Sequence, residues 1–411
     1  MNILVLTSIY PEPDDEKKAG VTPVVHDFTK VWVTQGHNVV VIHNANRYPL
    51  LLHMLPQSLK QKINSTVGMV LPASDQDKDL LSVKDGVTIA RFPMLKVIPK
   101  GRFTDGSIIK QFEKIISYLE KNQFVTQVVI GHWENPQIPL LSMMKKKFAC
   151  RTAIVFHTFL YIRQPSCKKW VFDYLKDIDI LGCRSKTMAA ELKKMIRLAY
   201  NPFVCYSGVP DEYVDRLVSQ RGEKFTGGNL RAFVYAGRYT RQKNVGSIIQ
   251  ALNRIYPDND FGFDIIGIDN SVTELSALVS SMSLGEQVRF HGRKPRTEVI
   301  RLMKDSQCFI MISENEAFGL VYLEAMACGC ITIGSRGEGV DGVIEHGVNG
   351  FLCKAGDTNE LATLLAEINR LSQDRKEEIS NNAVKTAIRF RESVVAMDYL
   401  QNVCGKMESG N

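Results

Sequence analysis

Glu316 and Glu324 are the residues whose types and spacing suggest chemistry first. They lie eight positions apart in the stretch Ser313-Glu-Asn-Glu-Ala-Phe-Gly-Leu-Val-Tyr-Leu-Glu-Ala-Met-Ala-Cys-Gly329. If the second part of the stretch is helical, they are separated by roughly 12 Å at most, at 1.5 Å per residue. Between them fall Phe318, Gly319, Leu320 and Val321. The backbone N–H groups there would open a helix, where the dipole favours an anion, and Gly319 lets a phosphate approach the main chain. Two carboxylates flanking an anion site suit a ligand with hydroxyls at both ends and phosphate in the middle, which is the chemistry of a nucleotide-sugar. Two cations point the same way: Arg238 and Lys243 sit in Gly237-Arg-Tyr-Thr-Arg-Gln-Lys-Asn244. Arginine offers a planar fork to phosphate oxygens and lysine a mobile point charge.

The elements that must position these groups follow from apolar runs. Cys308–Ile312 reads as a buried strand before the glutamate loop, and a helix from about Gly319 closes at Gly329. Leu230–Ala236 is a strand feeding the Arg238/Lys243 loop, and a helix begins near Val245. Phe263–Gly267 and the segment from Val288 to the turn at Gly292 supply two more strands. In the first half, Ile3–Thr7, Asn38–Ile42, Val125–Ile130, Arg151–Phe156 and Asp179–Cys183 read as strands. Val24, Val25, Phe28, Val31 and Trp32 fall at helical spacing between the first two. The pattern is α/β, with Rossmann-like βαβ units but without the dinucleotide G-x-G-x-x-G. His132 and His157 fall just past strand ends, where ligands of a parallel sheet collect, and imidazole can donate to or accept from sugar hydroxyls. Gly20 precedes the first helix and could bring amides to a phosphate; ordinary turn chemistry explains it as well.

With 411 residues the chain is long enough for two domains, expected at 1–212 and 213–390, with 391–411 a final helix. The polar stretch from Arg216 to Asn229 reads as a linker. No apolar run reaches membrane-spanning length, and the opening Met1–Leu6 reads as a strand and not a signal peptide. Nine scattered cysteines show no zinc spacing and suit reduced thiols in a cytoplasm. The net charge of +7 suits an anionic substrate or membrane surface and does not demand nucleic acid. Tyr48–Ile63 and Pro93–Phe103 mix apolar and basic residues. They read either as a rim lying on an anionic bilayer or as core elements with solvated lysines.

The motif Glu316-x-Phe318-Gly319-x4-Glu324 resembles the E-x7-E signature of retaining glycosyltransferases of family 4. Gly237-Arg238-x4-Lys243-Asn244 is similar to that family's diphosphate loop, and Gly337–Leu352 is similar to its closing glycine-rich pattern, with Gly342 where the pattern has a glutamate. The opening Thr7–Pro11 with Gly20–Pro23 looks most like bacterial capsular and exopolysaccharide enzymes. The resemblance implies a GT-B architecture, two Rossmann-like domains facing across a cleft, with the last helix folding back across the first domain. It also implies transfer of a hexosyl unit, with retention, from a nucleoside-diphosphate sugar, a UDP-sugar in the first instance. The acceptor would be a lipid-linked sugar at the inner membrane face, in a cytoplasmic or peripheral protein, with no metal or other cofactor. In its terms Glu316 and His157 are catalytic. Gly20, Arg238, Lys243, Arg293, Lys294, Phe318, Gly319, Leu320, Val321 and Glu324 hold the donor, and His132 meets the acceptor. A GT-B sugar-nucleotide epimerase and a non-catalytic sugar-nucleotide binder are the alternatives.

Overall fold

The structure is a computed structural model, and it describes residues 1–11, 22–49, 56, 78–96, 101–219, 224–226, 228–268 and 272–405. Gly20 and most of Tyr48–Ile63 lie outside the described residues. The chain forms two compact units. The first comprises Met1–Cys183, Pro202–Cys205 and Ala396–Asn411; the second comprises Arg184–Asn201 and Tyr206–Val395.

In the first unit the strands are β1 (Asn2–Thr7), β2 (Asn38–His43), β3 (Asn46–Arg47), β4 (Leu80–Lys84), β5 (Val87–Arg91), β6 (Met94–Leu95), β7 (Val128–His132), β8 (Arg151–Phe156), β9 (Ile180–Cys183) and β10 (Phe203–Val204). Among the described residues eight of them form one sheet in the order β10-β9-β8-β7-β1-β2-β5-β4, parallel except for the β4–β5 pair. Val5 lies opposite Val41 on one side and Ile130 on the other. These central strands are apolar throughout because helices cover both faces of a parallel sheet, so neither side is left for polar residues. The helix Val24–Thr34 buries Val24, Val25, Phe28, Val31 and Trp32, the i, i+3, i+4 spacing that puts side chains on one face. The helix Glu392–Cys404 repeats the pattern, with Ala396, Tyr399, Leu400 and Val403 buried. From Ala396 onward it belongs to the first unit, where the Trp32 indole N–H donates to the Ala396 carbonyl at 2.8 Å and the Tyr399 ring meets Phe28 edge-on at 5.1 Å.

In the second unit the strands are β11 (Ala232–Ala236), β12 (Gly262–Ile266), β13 (Val288–Gly292), β14 (Cys308–Ile310), β15 (Ile331–Ser335) and β16 (Phe351–Cys353). They form a wholly parallel sheet in the order β13-β12-β11-β14-β15-β16. Strand order reverses beside β11, so the loops that follow β11 and β14 leave neighbouring strands at the carboxyl edge, where open α/β sheets bind ligands.

The boundaries differ from the expected 212/213 division. Helix Lys186–Ile196 counts with the second unit, in which Lys186 Nζ donates to the Gly342 carbonyl at 3.2 Å. The stretch expected to be a linker begins inside the helix Asp211–Ser219. Lys224 then donates to the carbonyls of Met303 and Ser306 at 2.9 and 2.6 Å, and Phe225 is buried in the core. Lys224 thus caps the end of the helix Arg296–Asp305 and Phe225 fills the core, so neither spans solvent. Lys96, in the segment read either as a bilayer rim or as core with solvated lysines, is interior, only 7% exposed.

Candidate active site

The loop after β11 and the loop after β14 are fastened to each other through the main chain. Glu314 N–H donates to the Gln242 carbonyl at 2.8 Å, and the Asn244 amide donates to the Ile312 carbonyl at 2.9 Å. Asn244 adopts the left-handed conformation at φ 53°, which asparagine tolerates better than most residues. This joins the single turn Arg241–Lys243 to the loop carrying Glu316. The Lys243 ammonium makes an ion pair with the Glu316 carboxylate. Both are largely sheltered, at 20% and 16% side-chain exposure, so the pair is less screened than a surface one. Two further bonds fix the Glu316 backbone: its N–H donates to the Glu338 carboxylate at 2.8 Å, and its carbonyl accepts from Gly339 N–H at 2.8 Å.

Helix Leu320–Ala327 starts directly after this loop, from Gly319 at φ 80°. Neither Gly319 nor Leu320 N–H finds an acceptor among the described residues. The helix is anchored from below by Tyr322, whose hydroxyl donates to the Met311 carbonyl at 2.6 Å and whose pKa burial pushes far up. Phe318 is buried against Tyr206 at 5.4 Å, so only its main chain is available to a ligand. One turn into the helix the Glu324 carboxylate, 12% exposed, pairs with the Arg296 guanidinium at 2.6 Å. Arg296 lies 5.0 Å from the Tyr213 ring centre.

Arg238 occupies the same loop as Lys243, exposed and without an ion-pair partner among the described residues. Arg293 and Lys294 are exposed in the loop after β13. That loop is linked back to the site by carbonyls: Gly267 N–H donates to Gly292, and Gly237 N–H donates to Ile266, each at 2.9 Å. At Gly267 an added Cβ would fall 1.8 Å from the Gly237 oxygen, so the close approach of these two strand-end loops requires glycine. Gly342 has a comparable explanation. It has φ 96° and lies against the Lys186 stem, where an added Cβ would come within 2.7 Å of Cδ. The local backbone itself disfavours a side chain where the family pattern has glutamate.

The first unit brings His132 and His157 together. His132 Nδ1 lies 3.0 Å from His157 Nε2, and His132 Nε2 lies 3.2 Å from the Tyr399 hydroxyl. His132 is wholly buried, which corrects its expected role: it cannot meet an acceptor and instead holds His157 from behind. His157 is half-buried and stacks on Trp133 at 4.0 Å with a 17° interplanar angle. Beside them Glu134, 2% exposed, accepts from the amides of Tyr161 and Ile162 at 3.1 and 3.0 Å. Burial pushes its pKa up to about 7 despite those bonds.

The sign of the Glu134 effect is fixed. The folded state holds the proton more tightly than the unfolded chain, so this group's stabilisation is present at low pH and is lost as pH rises from the ordinary carboxylate range through about 7. Glu134→Gln is therefore expected to flatten the decline of thermal midpoint between roughly pH 5 and 8, read as a wild-type-minus-variant difference. An unchanged slope would show that the carboxyl titrates as if exposed.

Sequence reasoning missed Arg296, Glu338 and Glu134. Arg296 begins a helix after Pro295 and carried no local signal; its partner is 28 positions away. Glu338 stood in view between two glycines, but its target, the Glu316 amide, comes from the fold.

With this geometry in place, comparison with known proteins is informative. Residues 219–386 match the family model for glycosyl transferases group 1. That region is similar to group 1 glycosyl transferases. The N-acetyl-alpha-D-glucosaminyl L-malate synthase of Bacillus anthracis is 26% identical over 200 residues, covering 48% of this chain and 52% of that protein. The amylovoran biosynthesis glycosyltransferase AmsK of Erwinia amylovora is 31% identical over 143 residues, covering 33% and 34%. The matches thus span about half the length of the first relative and about a third of the second. The solved structure of Anabaena HepE in complex with UDP and glucose aligns over 98% of this chain and 100% of that one, with a TM-score of 0.64 and 16% identity. That likeness, over nearly the whole length, shows the GT-B fold. The matched residues include Arg238, Lys243, Glu316 and Glu324.

Proposed function

We propose that the chain transfers a hexosyl unit from a nucleoside-diphosphate sugar, a UDP-sugar, to a sugar acceptor with retention at the anomeric carbon. The observation that carries this reading is the Lys243–Glu316 pair at the open N-terminus of helix Leu320–Ala327. A diphosphate placed against the Gly319 and Leu320 amides would draw the Lys243 ammonium toward itself, with Arg238 on the same loop adding a second cation. Both charges are in place before the glycosidic bond breaks, so negative charge growing on the leaving diphosphate meets prearranged donors. Glu316, released from Lys243, is left to accept hydrogen bonds from the donor sugar or to stabilise oxocarbenium-like charge. Glu324, oriented by Arg296, would hold the ribose diol. His157 would contact the donor sugar or the acceptor.

We assign neutralisation of the diphosphate to these groups and not to a metal, so chelation is expected to leave the rate unchanged. No carboxylate is assigned as a covalent nucleophile, so attack is from the front face, aided by the leaving phosphate. The UDP and glucose bound in HepE support the donor class, and AmsK supports a role in cell-surface polysaccharide synthesis. A lipid-linked acceptor would place the enzyme at an anionic membrane face as a peripheral protein. Among the described residues no helix is long and apolar enough to cross a membrane.

A thermal-shift panel of UDP-, GDP- and ADP-sugars tests the donor, because a bound ligand stabilises by RT ln(1 + [L]/Kd). UDP-sugars are expected to give the largest shift. Proton NMR of the product is expected to show the donor's anomeric configuration; an inverted linkage would sink the front-face reading.

A further inference from the structure

Three hydrogen-bonding side chains of the first unit stand in a line that ends at His157. The Tyr399 hydroxyl lies 3.2 Å from His132 Nε2, and His132 Nδ1 lies 3.0 Å from His157 Nε2. The middle ring is wholly buried, with Phe28 stacked on it at 6.3 Å and Tyr399 edge-on at 5.9 Å. His157 is held from two further directions. Trp133 stacks on it at 4.0 Å and does so from a left-handed backbone, φ 66°. That conformation is uncommon for a bulky residue, and such strain collects where a side chain must be held in one place. Glu134 accepts from the Tyr161 and Ile162 amides at 3.1 and 3.0 Å, which ties down the loop that follows His157. His132, Trp133 and Glu134 thus each grip the loop after β8.

The chemistry of the line decides where its protons sit. An imidazole nitrogen that accepts carries no hydrogen, and the bond made by one ring nitrogen sets the state of the other. Between a phenol and an imidazole, the phenol is the more acidic group and the imidazole the more basic. The Tyr399 hydroxyl therefore donates to His132 Nε2. His132 is then neutral with its hydrogen on Nδ1, and it donates to His157 Nε2. His157 in turn carries its hydrogen on Nδ1, and its one basic lone pair is already engaged by His132. Such a ring can donate on its second nitrogen but cannot accept there.

We propose that Tyr399 and His132 are positioning residues that hold His157 in its Nδ1–H form, which makes His157 a fixed hydrogen-bond donor to the substrate and not a general base. This deepens the glycosyltransferase reading and rests on it for what His157 meets; the tautomer itself stands on the first unit alone. Within that reading the proton of the attacking hydroxyl passes to an oxygen of the leaving diphosphate, as the new glycosidic bond forms and the old one breaks.

The test uses the full chain and has two arms. In the first, long-range proton–nitrogen correlation NMR on isotope-labelled protein reads the histidine tautomers, with His157 assigned by the signals missing in His157→Asn. The wild type is expected to show His157 protonated at Nδ1 alone. Tyr399→Phe keeps the ring packing and removes only the donating hydroxyl, and it is expected to move His157 toward the Nε2–H form. In the second arm, UDP release is followed with the UDP-sugar that gives the largest thermal shift. Loss of a general base costs about a hundredfold or more, whereas loss of one neutral hydrogen bond costs on the order of tenfold. His157→Asn places an amide where Nδ1 stood, so it is expected to keep at least about a tenth of the wild-type turnover. Tyr399→Phe is expected to lower turnover about fivefold in the wild type and to leave it unchanged in the His157→Asn background, because asparagine does not draw on His132. A wild-type His157 protonated at Nε2, or an Nδ1–H form that persists in Tyr399→Phe, would overturn the proposal. So would a loss of about a hundredfold in His157→Asn, the mark of a base, or equal effects of Tyr399→Phe in both backgrounds, the mark of a merely structural tyrosine. Absence of UDP release while the tautomers stand as expected would remove the glycosyltransferase reading and leave the hydrogen-bonded line supported.

Discussion

Replacing Lys243 or Glu316 by alanine is expected to lower turnover at least about a hundredfold, the scale seen when a prearranged electrostatic donor is lost. The two losses come from different stages. In the proposed reaction, loss of Lys243 would take from the leaving diphosphate its mobile cation, and loss of Glu316 would take from the donor sugar the carboxylate that the ion pair holds in position. Because the pair acts as one unit, the double alanine variant is expected to be less impaired than the product of the single effects. Only part of the pair's solvent shielding is complete, at 20% and 16% exposure, so its share of folding stability is modest and thermal midpoints should move by a few degrees. Steady-state rates with a UDP-sugar, beside melting curves, separate the two quantities. Near-wild-type turnover in either single variant would mean that the reacting diphosphate lies elsewhere.

The second large effect is steric. Gly339→Ala is expected to weaken UDP binding at least about tenfold and to cost on the order of 1–3 kcal/mol of stability, as overpacking does. The added Cβ would lie 2.3 Å from the carbonyl carbon and oxygen of Ala317 and 2.5 Å from the Phe318 nitrogen. Those are main-chain atoms, so no rotamer change relieves the contact. The loop must move, and with it Glu316, whose carbonyl accepts from the same Gly339 N–H. Gly337 provides a control two residues away: an added Cβ meets nothing within 4 Å there, although its φ of 80° makes any substitution locally strained. Gly337→Ala should therefore lose some stability while retaining UDP affinity. Equal affinity losses in the two variants would point to general loosening of the loop.

What was readable in advance follows from how each feature is encoded. The parallel strands are unbroken apolar runs, so Arg151–Phe156 was legible to the residue, and helix Leu320–Ala327 lies within the span expected from Gly319 and Gly329. The meeting of Lys243 with Glu316 was legible at the level of loops, because both leave strand ends. Groups whose meaning depends on a distant partner were not legible. His132 carries the same strand-end signal as His157, yet one is buried and the other is not. The difference is set by Tyr399, from a helix more than 260 positions later in the chain. Arg216–Asn229 looked like a linker because the polar side of an amphipathic helix and a carbonyl-capping lysine have a linker's composition.

That late tyrosine has a consequence for how the molecule is made. The core of the first unit is closed by Ala396, Tyr399, Leu400 and Val403, while the bulk of that unit ends at Cys183. During synthesis the second unit must be translated before those residues exist, a delay on the order of ten seconds or more at ribosomal speed. Through that interval Trp32, Phe28 and His132 lack the helix that covers them, exposing a patch to chaperones or to aggregation. The amino-terminal half is thus first in the queue to emerge and last to be finished, so a product truncated before Ala396 should be cleared by proteases even with its second unit otherwise complete.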